Sequence, residues 1–210
     1  QQLFGQKLEN QLKYWKQQIA GADLILELPT DYSRPLTQTF SGASQSLVLN
    51  QSLTASLKVL ACQQESTLFM VLMATFQILL SRHSGQENFL VGSPFAGRNR
   101  TELEGLIGFF VTTLVLRADL SGNPSFRELL SRVREMILSA NSYQDLPFEK
   151  IVEELHIKRD LSRNPLFQVW FNMLNFEESK IELQGLRVEP LVQKQVNSKF
   201  DLTLYLQEKY

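Results

Sequence analysis

Ile107-Gly-Phe-Phe-Val-Thr-Thr-Leu-Val-Leu-Arg117 is the stretch whose reading decides the fold. It is rich in β-branched and aromatic side chains and lacks proline, so it predicts a strand. Period two places Ile107, Phe109, Val111, Thr113 and Val115 on one face and Phe110, Thr112, Leu114 and Leu116 on the other. Neither face suits open water, which predicts an interior strand covered on both sides. Gly108 leaves a gap in the second face, and Thr112 and Thr113 carry the only hydroxyls of the run. Strand propensity alone accounts for both threonines; the sharper alternative has one of them facing a ligand.

Downstream, Asn123-Pro124 opens a predicted helix in which Phe126, Leu129, Leu130, Val133, Met136, Ile137 and Ala140 keep helical spacing. Glu128 stands four residues before Arg132 on its solvated face. A second helix starts near Pro147 and carries Phe148, Ile151, Val152 and Leu155. Arg159-Asp-Leu-Ser-Arg-Asn-Pro165 predicts a charged turn, because Pro165 disfavours helix at Asn164. Residues 166–176 predict a strand with Phe167, Val169, Phe171 and Met173 on one face. Gln168, Trp170, Asn172 and Leu174 form the other face, wet enough to border a channel. Residues 186–192 and 200–207 are further strand candidates around a polar loop.

Upstream, residues 67–83 are apolar around nearly their whole circumference and predict a buried helix, capped by Ser66 or Thr67 and by Gly85. Residues 88–94 predict a strand and 46–50 a short one. Residues 52–64 predict a helix with Leu53, Leu57, Leu60 and Ala61 inward and Cys62 packed as a small hydrophobe. Residues 28–42, punctuated by Pro29, Pro35 and Gly42, predict a long loop. At the start, Leu8, Leu12, Trp15 and Ile19 set an amphipathic docking helix over residues 2–20, ending at Gly21.

Composition excludes several classes of function. Twenty-one basic and twenty-two acidic residues leave a net charge of −1, so no overall field recruits nucleic acid or an anionic membrane. The single Cys62 forms no internal disulfide, and no apolar run approaches the roughly 20 residues of a membrane span, which fits the cytoplasm. Candidate chemistry is sparse. His83 and His156 lack partners at metal-ligand spacing, so no metal site is expected, and each reads as an ordinary helix-end histidine. Glu153 and Glu154 sit on a solvated helix face and make a poor catalytic carboxylate pair. The loop from Gly92 to Gly105 has neither the spacing of a nucleophile elbow nor that of a phosphate loop. On its residues alone the chain is an α+β domain.

Three blocks in order carry a resemblance: the 107–117 stretch, Asn141-Ser-Tyr-Gln-Asp-Leu-Pro-Phe-Glu149, and Arg159-Asp-Leu-Ser-Arg-Asn-Pro-Leu166. Together they closely resemble the late motifs of condensation domains of nonribosomal peptide synthetases. The lead-in from Gly92 to Gly105 and the closing Lys199-Phe-Asp-Leu202 resemble the same family, so the likeness covers nearly the whole chain. The resemblance implies two acetyltransferase-like lobes in a V with the active site in the tunnel between them. The family's His-His-x-x-x-Asp-Gly motif belongs to the first lobe and is missing here, so residues 1–210 are expected to be the second lobe alone. Residues 1–20 would be the helix after the hinge, and no catalytic residue is expected in this chain.

The implied architecture is a two-layer α/β sandwich resembling chloramphenicol acetyltransferase, with helices covering one face of a mixed sheet and the other face under-packed. The implied reaction joins two substrates held as thioesters on carrier-protein phosphopantetheine arms, with no cofactor bound directly. Expected partners are the N-terminal lobe, the donor and acceptor carrier proteins and an adjacent adenylation domain. Gly108, Thr112, Thr113, Gln168, Trp170 and Asn172 would line the tunnel, and Gly97, Arg98 and Asn99 would sit in its floor loop. Residues 186–199 would cross over and latch the first lobe. Gln144, Asp145, Pro147, Phe148, Glu149, Arg159, Asp160, Asn164, Pro165 and Asp201 would be architectural motif residues. One departure is Thr112, where the family commonly has Asn; a hydroxyl replaces an amide's paired donor and acceptor. Alternatives are a lobe of an epimerization or cyclization relative, and a degenerate lobe kept as an interaction module.

Overall fold

The most apolar stretch folds as a helix, Leu68–Ser84, whose ends follow from two residues. Thr67 Oγ1 accepts the Met70 amide at 3.3 Å, and Gly85, at φ 73°, ends the helix with its amide on the Ser81 carbonyl at 2.8 Å. Val71, Met73, Ala74, Phe76 and Leu80 are buried along it. The chain is described by a computed structural model over residues 4–97, 101–103, 105–158, 160–174 and 196–208.

In chain order the elements are α1 (Gly5–Ile19), β1 (Ser41–Gly42), α2 (Gln51–Gln63), α3 (Leu68–Ser84), β2 (Asn88–Ala96), β3 (Val111–Asp119) and α4 (Phe126–Ser142). They continue with α5 (Phe148–Glu154), β4 (Val169–Leu174), β5 (Val196–Asn197) and β6 (Leu202–Gln207). The main sheet has the order β3-β2-β4-β6. β2 is antiparallel to β3 and parallel to β4, and β4 is parallel to β6, so the sheet is mixed. A separate two-residue ladder pairs Ser41 with Asn197 and Gly42 with Val196.

α3 and α4 cover one sheet face. Phe69 of α3 meets Phe95 and Phe171 edge-on at 5.8 and 5.1 Å, and Phe76 leans on Phe171 at 5.7 Å. On the opposite face Gly92 lies beside Val115 in register, and a Cβ on Gly92 would stand 2.3 Å from the Phe167 ring. Only glycine lets Phe167 lie this close to β2. Phe167 in turn touches Phe148 of α5 at 5.4 Å, and α5 packs beside α1. α4 starts in a capping box: Ser125 Oγ accepts the Glu128 amide while Glu128 accepts the Ser125 amide. The sequence reading placed Glu128 and Arg132 on a solvated face and missed the cap; Arg132 reaches Asp119 at 3.7 Å.

Several expectations are corrected. The strand begins at Val111 rather than Ile107; Ile107 is 104% exposed and Phe109 90%, and Phe110 meets the end of β2 through its carbonyl, which accepts the Gly97 amide at 2.8 Å. Among the described residues β3 ends the sheet order rather than lying inside it; both its faces are covered as expected, with Leu114, Val115 and Leu116 buried, and α4 and α5 pack against it. Residues 46–50 form no strand among the described residues, with Leu47 85% and Val48 91% exposed. Strand propensity alone makes no strand, which also needs a hydrogen-bonding neighbour. α2 buries only Ala61; Leu53 and Cys62 are exposed. The strand expected at 186–192, and residues Arg98, Asn99 and Arg159, lie outside the described residues.

Candidate functional site

Beyond the β6 side of the sheet a cavity of about 2200 Å³ opens, walled by the arm that connects α1 to α2. Residues from Leu28 to Leu49 of that arm form its outer wall, and Trp170, Phe167, Phe200 and the whole run from Leu202 to Leu206 form its inner wall. Thr112 and Thr113 border it at the start of β3. The aromatic part is a continuous stack. Trp170 and Phe200 lie parallel at 4.9 Å with an interplanar angle of 3°, and Phe167 sits against both at 5.8 and 5.6 Å.

The arm is pinned at its middle by a charge pair. Arg34 Nη1 donates to Asp201 Oδ1 at 3.0 Å and to the Ser162 carbonyl at 3.1 Å, while Nη2 donates to Asp201 Oδ2. This two-point fork is geometry that arginine offers and lysine does not. The hydrogen bonds to Asp201 push the Arg34 guanidinium above its ordinary pKa, outweighing burial, which acts the other way. Around the pair, the Gln38 amide donates to the Leu161 carbonyl at 2.9 Å, and Asn164 Nδ2 donates to the Lys199 carbonyl. Sequence reasoning missed Arg34, although it is the lone basic residue between Lys16 and Lys58.

Of the expected tunnel residues, Thr112, Thr113 and Trp170 meet on the cavity wall, joined by Gly97 of the floor loop. Three do not. Gln168 is 2% exposed and structural: its Oε1 accepts the Leu26 amide at 2.7 Å, and its Nε2 donates to the Leu24 and Asn164 carbonyls. Alternation puts Gln168 beside Trp170 in a face count, but it precedes the first residue of β4 and turns inward. Asn172 is half-buried and stands off the wall, and so does Gly108, where a Cβ would meet the Phe110 ring at 2.9 Å.

The motif residues split. Gln144, Asp145, Pro147, Phe148, Glu149, Asn164, Pro165 and Asp201 all border the cavity, and Asp145 is tied to Lys7 at 2.6 Å. Asp160 lies off the wall and caps its turn, accepting the Ser162 amide at 2.8 Å and hydroxyl at 2.6 Å. Those two bonds hold its carboxyl below the usual carboxylate range. The latch expected over 186–199 is described only from residue 196, where it pairs with the chain's own arm. His83 and His156 are both exposed, and no group of three His, Cys, Asp or Glu suited to a metal occurs among the described residues. Nor is any single described helix long and apolar enough to cross a membrane.

A mixed sheet backed by helices is an α+β fold, and the solved structures similar to it place the chain in the chloramphenicol-acetyltransferase-like class. A family model described as Condensation domain matches residues 1–210. A linear gramicidin synthase of Brevibacillus parabrevis is 54% identical over 209 residues, covering 99% of this chain and 4% of that protein. A plipastatin synthase of Bacillus subtilis is 44% identical, covering 98% and 8%. Among solved structures, the X-domain of teicoplanin biosynthesis in complex with OxyB is similar at TM-score 0.84 and 30% identity, covering 96% of this chain and 44% of that one. A four-domain nonribosomal peptide synthetase bound to AMP and glycine is similar at TM-score 0.85 and 26% identity, covering 99% and 17%. The chain therefore belongs to the condensation-domain family of nonribosomal peptide synthetases. It spans a few per cent of the synthetases it matches and under half of the similar X-domain chain.

Proposed function

We propose that this chain is the C-terminal lobe of a condensation domain that forms amide bonds between carrier-bound aminoacyl or peptidyl thioesters, and that it shapes the substrate tunnel without being catalytic alone. The acceptor amine attacks the donor thioester carbonyl; the C–N bond forms, the C–S bond breaks, and the amine's proton leaves with the phosphopantetheine thiol. The observation that carries this reading is the chemical character of the cavity wall. Thr112, Thr113 and Trp170 border it beside an aromatic stack, and the chain's two histidines lie elsewhere, one ending α3 and one beyond α5. Such a wall positions reactants, and holding an amine in attack geometry is a large share of what such a site contributes. In this reading the partners are the N-terminal lobe, donor and acceptor carrier proteins and an adenylation domain, in the cytoplasm.

The test supplies donor and acceptor aminoacyl thioesters on carrier proteins to the chain alone and to the chain joined to the roughly 200 residues expected before it. Amide product on the acceptor carrier is expected only from the joined form. Turnover by the chain alone would overturn the reading, and inversion or ring closure in place of amide formation would favour an epimerization or cyclization relative. A second reading, a lobe kept as an interaction module, draws on the 30% identity to an X-domain found in complex with OxyB. A joined form that folds and binds carrier proteins but makes no amide would favour it.

A further inference from the structure

We infer that residues 43–49 form a strap that closes on the free edge of β6 and becomes the fifth strand of the main sheet. Sequence and structure disagree here in an informative way. The sequence predicts a strand at 46–50, and in the structure residues 46–49 belong to no helix or strand and pair with no strand among the described residues, with Leu47 85%, Val48 91% and Leu49 43% exposed. β6 ends the sheet order, and among the described residues no strand pairs with its outer edge. Leu202 and Tyr205 on that strand are 39% and 63% exposed. An open edge rich in leucine, with neither proline nor lysine from Leu202 to Leu206, is the kind that proteins cover.

The strap is already tethered at both ends of β6. Near its start, Ser41 and Gly42 pair with Asn197 and Val196, the Ser198 amide donates to the Phe40 carbonyl at 2.9 Å, and Arg34 grips Asp201. Near its finish, Asn50 caps α2 by accepting the Leu53 amide at 2.8 Å, and Lys58 of the same helix pairs with Glu208 just past β6. The strap therefore runs from the 201 end to the 208 end, parallel to β6, as β6 runs parallel to β4. Length permits closure: eight steps from Gly42 to Asn50 reach about 26 Å, against about 17 Å for six residues of β6. The space between the two is the cavity itself, lined by Gln45, Ser46, Leu47 and Leu49 on one side and by Leu202 to Leu206 on the other.

Alternation gives the closed strap its sidedness. Leu202, Leu204 and Leu206 share the face of Val169 and Phe171, on which α3 packs, and Thr203 and Tyr205 share the face of Trp170. Leu47 and Leu49 then add to the leucine row over α3, and Ser46 and Val48 continue the face of Thr203 and Tyr205. Closure moves the outer wall of the cavity inward onto the sheet. The inference rests on the fold and holds whichever reaction the cavity serves.

Hydrogen exchange read by mass spectrometry tests it, on the 210-residue chain and on a longer polypeptide that carries it. Segments 43–49 and 202–206 are expected to exchange at least about ten-fold more slowly than an unstructured chain. Val48→Pro removes a strand donor, and Leu47→Asp blocks burial without touching the backbone. Each is expected to abolish protection in 43–49 and weaken it in 202–206 while α4 stays protected; Val48→Thr is expected to keep both. Exchange of 43–49 at unprotected rates in the unaltered chain would overturn the inference. So would protection of 202–206 that ignores both disruptive variants, as when residues 186–192 fill the edge, or protection that depends on protein concentration, as when a second copy does.

Discussion

Arg34 and Asp201, 167 positions apart in the chain, meet as a two-point fork, and the third bond of Arg34 holds the Ser162 carbonyl at 3.1 Å. One guanidinium thus joins the arm, the charged turn and the start of β6. Its side chain is 26% exposed and that of Asp201 21%, so solvent screens the pair only in part. Arg34→Ala is expected to cost about 1–2 kcal/mol in urea unfolding. Arg34→Lys is expected to recover less than half of that, because an ammonium cannot span both carboxylate oxygens and the carbonyl together. Full stability of the lysine variant would show that charge alone suffices.

Two buried glutamines behave in opposite ways. Gln168 satisfies the Leu26 amide and the Leu24 and Asn164 carbonyls, whereas both amide atoms of Gln77, fully buried on α3, have no hydrogen-bond partner among the described residues. Gln168→Leu strands a buried amide and two carbonyls and is expected to destabilise by about 1–3 kcal/mol. Gln77→Met, of similar length and apolar, is expected to be neutral or stabilising by about 1 kcal/mol. Melting temperatures of the two variants check the contrast, and a loss at Gln77 equal to that at Gln168 would reveal a hidden partner.

Tyr14 stacks on Tyr143 at 4.1 Å, and its hydroxyl is buried without a hydrogen-bond partner among the described residues. Burial, with a smaller contribution from Tyr143, raises its pKa to about 12. In the unfolded chain the phenol ionises near its ordinary value of about 10. The native state therefore holds the proton more tightly, and stability present below that value is lost as pH rises towards 12. Tyr14→Phe is expected to flatten the alkaline limb of stability against pH and to leave stability at pH 7 unchanged or raised. An unchanged alkaline limb would place the shift elsewhere.

Asp160 supplies the matching acid limb. Its bonds from Ser162 lower its pKa, so its contribution is present above the ordinary carboxylate value of about 4 and fades as pH falls through the lower folded value. Asp160→Ala is expected to lower the melting temperature at pH 7 and to shrink its fall on acidification. A variant that melts like the parent at pH 7 would remove Asp160 from the architecture.

Much of the helical layer was legible in the chain because the signals are local. Thr67 and Gly85 bound α3 through contacts within one turn, and the leucine spacing of α4 fixes its buried stripe whatever it packs on. The family motifs were legible for the same reason: residue order needs no knowledge of the partner strand. What the sequence left open depends on which strand lies beside which. The 107–117 run reads as central, yet among the described residues β3 ends the sheet order and Ile107 lies in solvent. Gln168 reads as a channel residue until the Leu24–Leu26 segment, about 140 positions away, arrives to claim its amide. The fork between Arg34 and Asp201 belongs to the same class. Such features arise from contacts between distant segments, and neither periodicity nor propensity, being functions of near neighbours alone, encodes them.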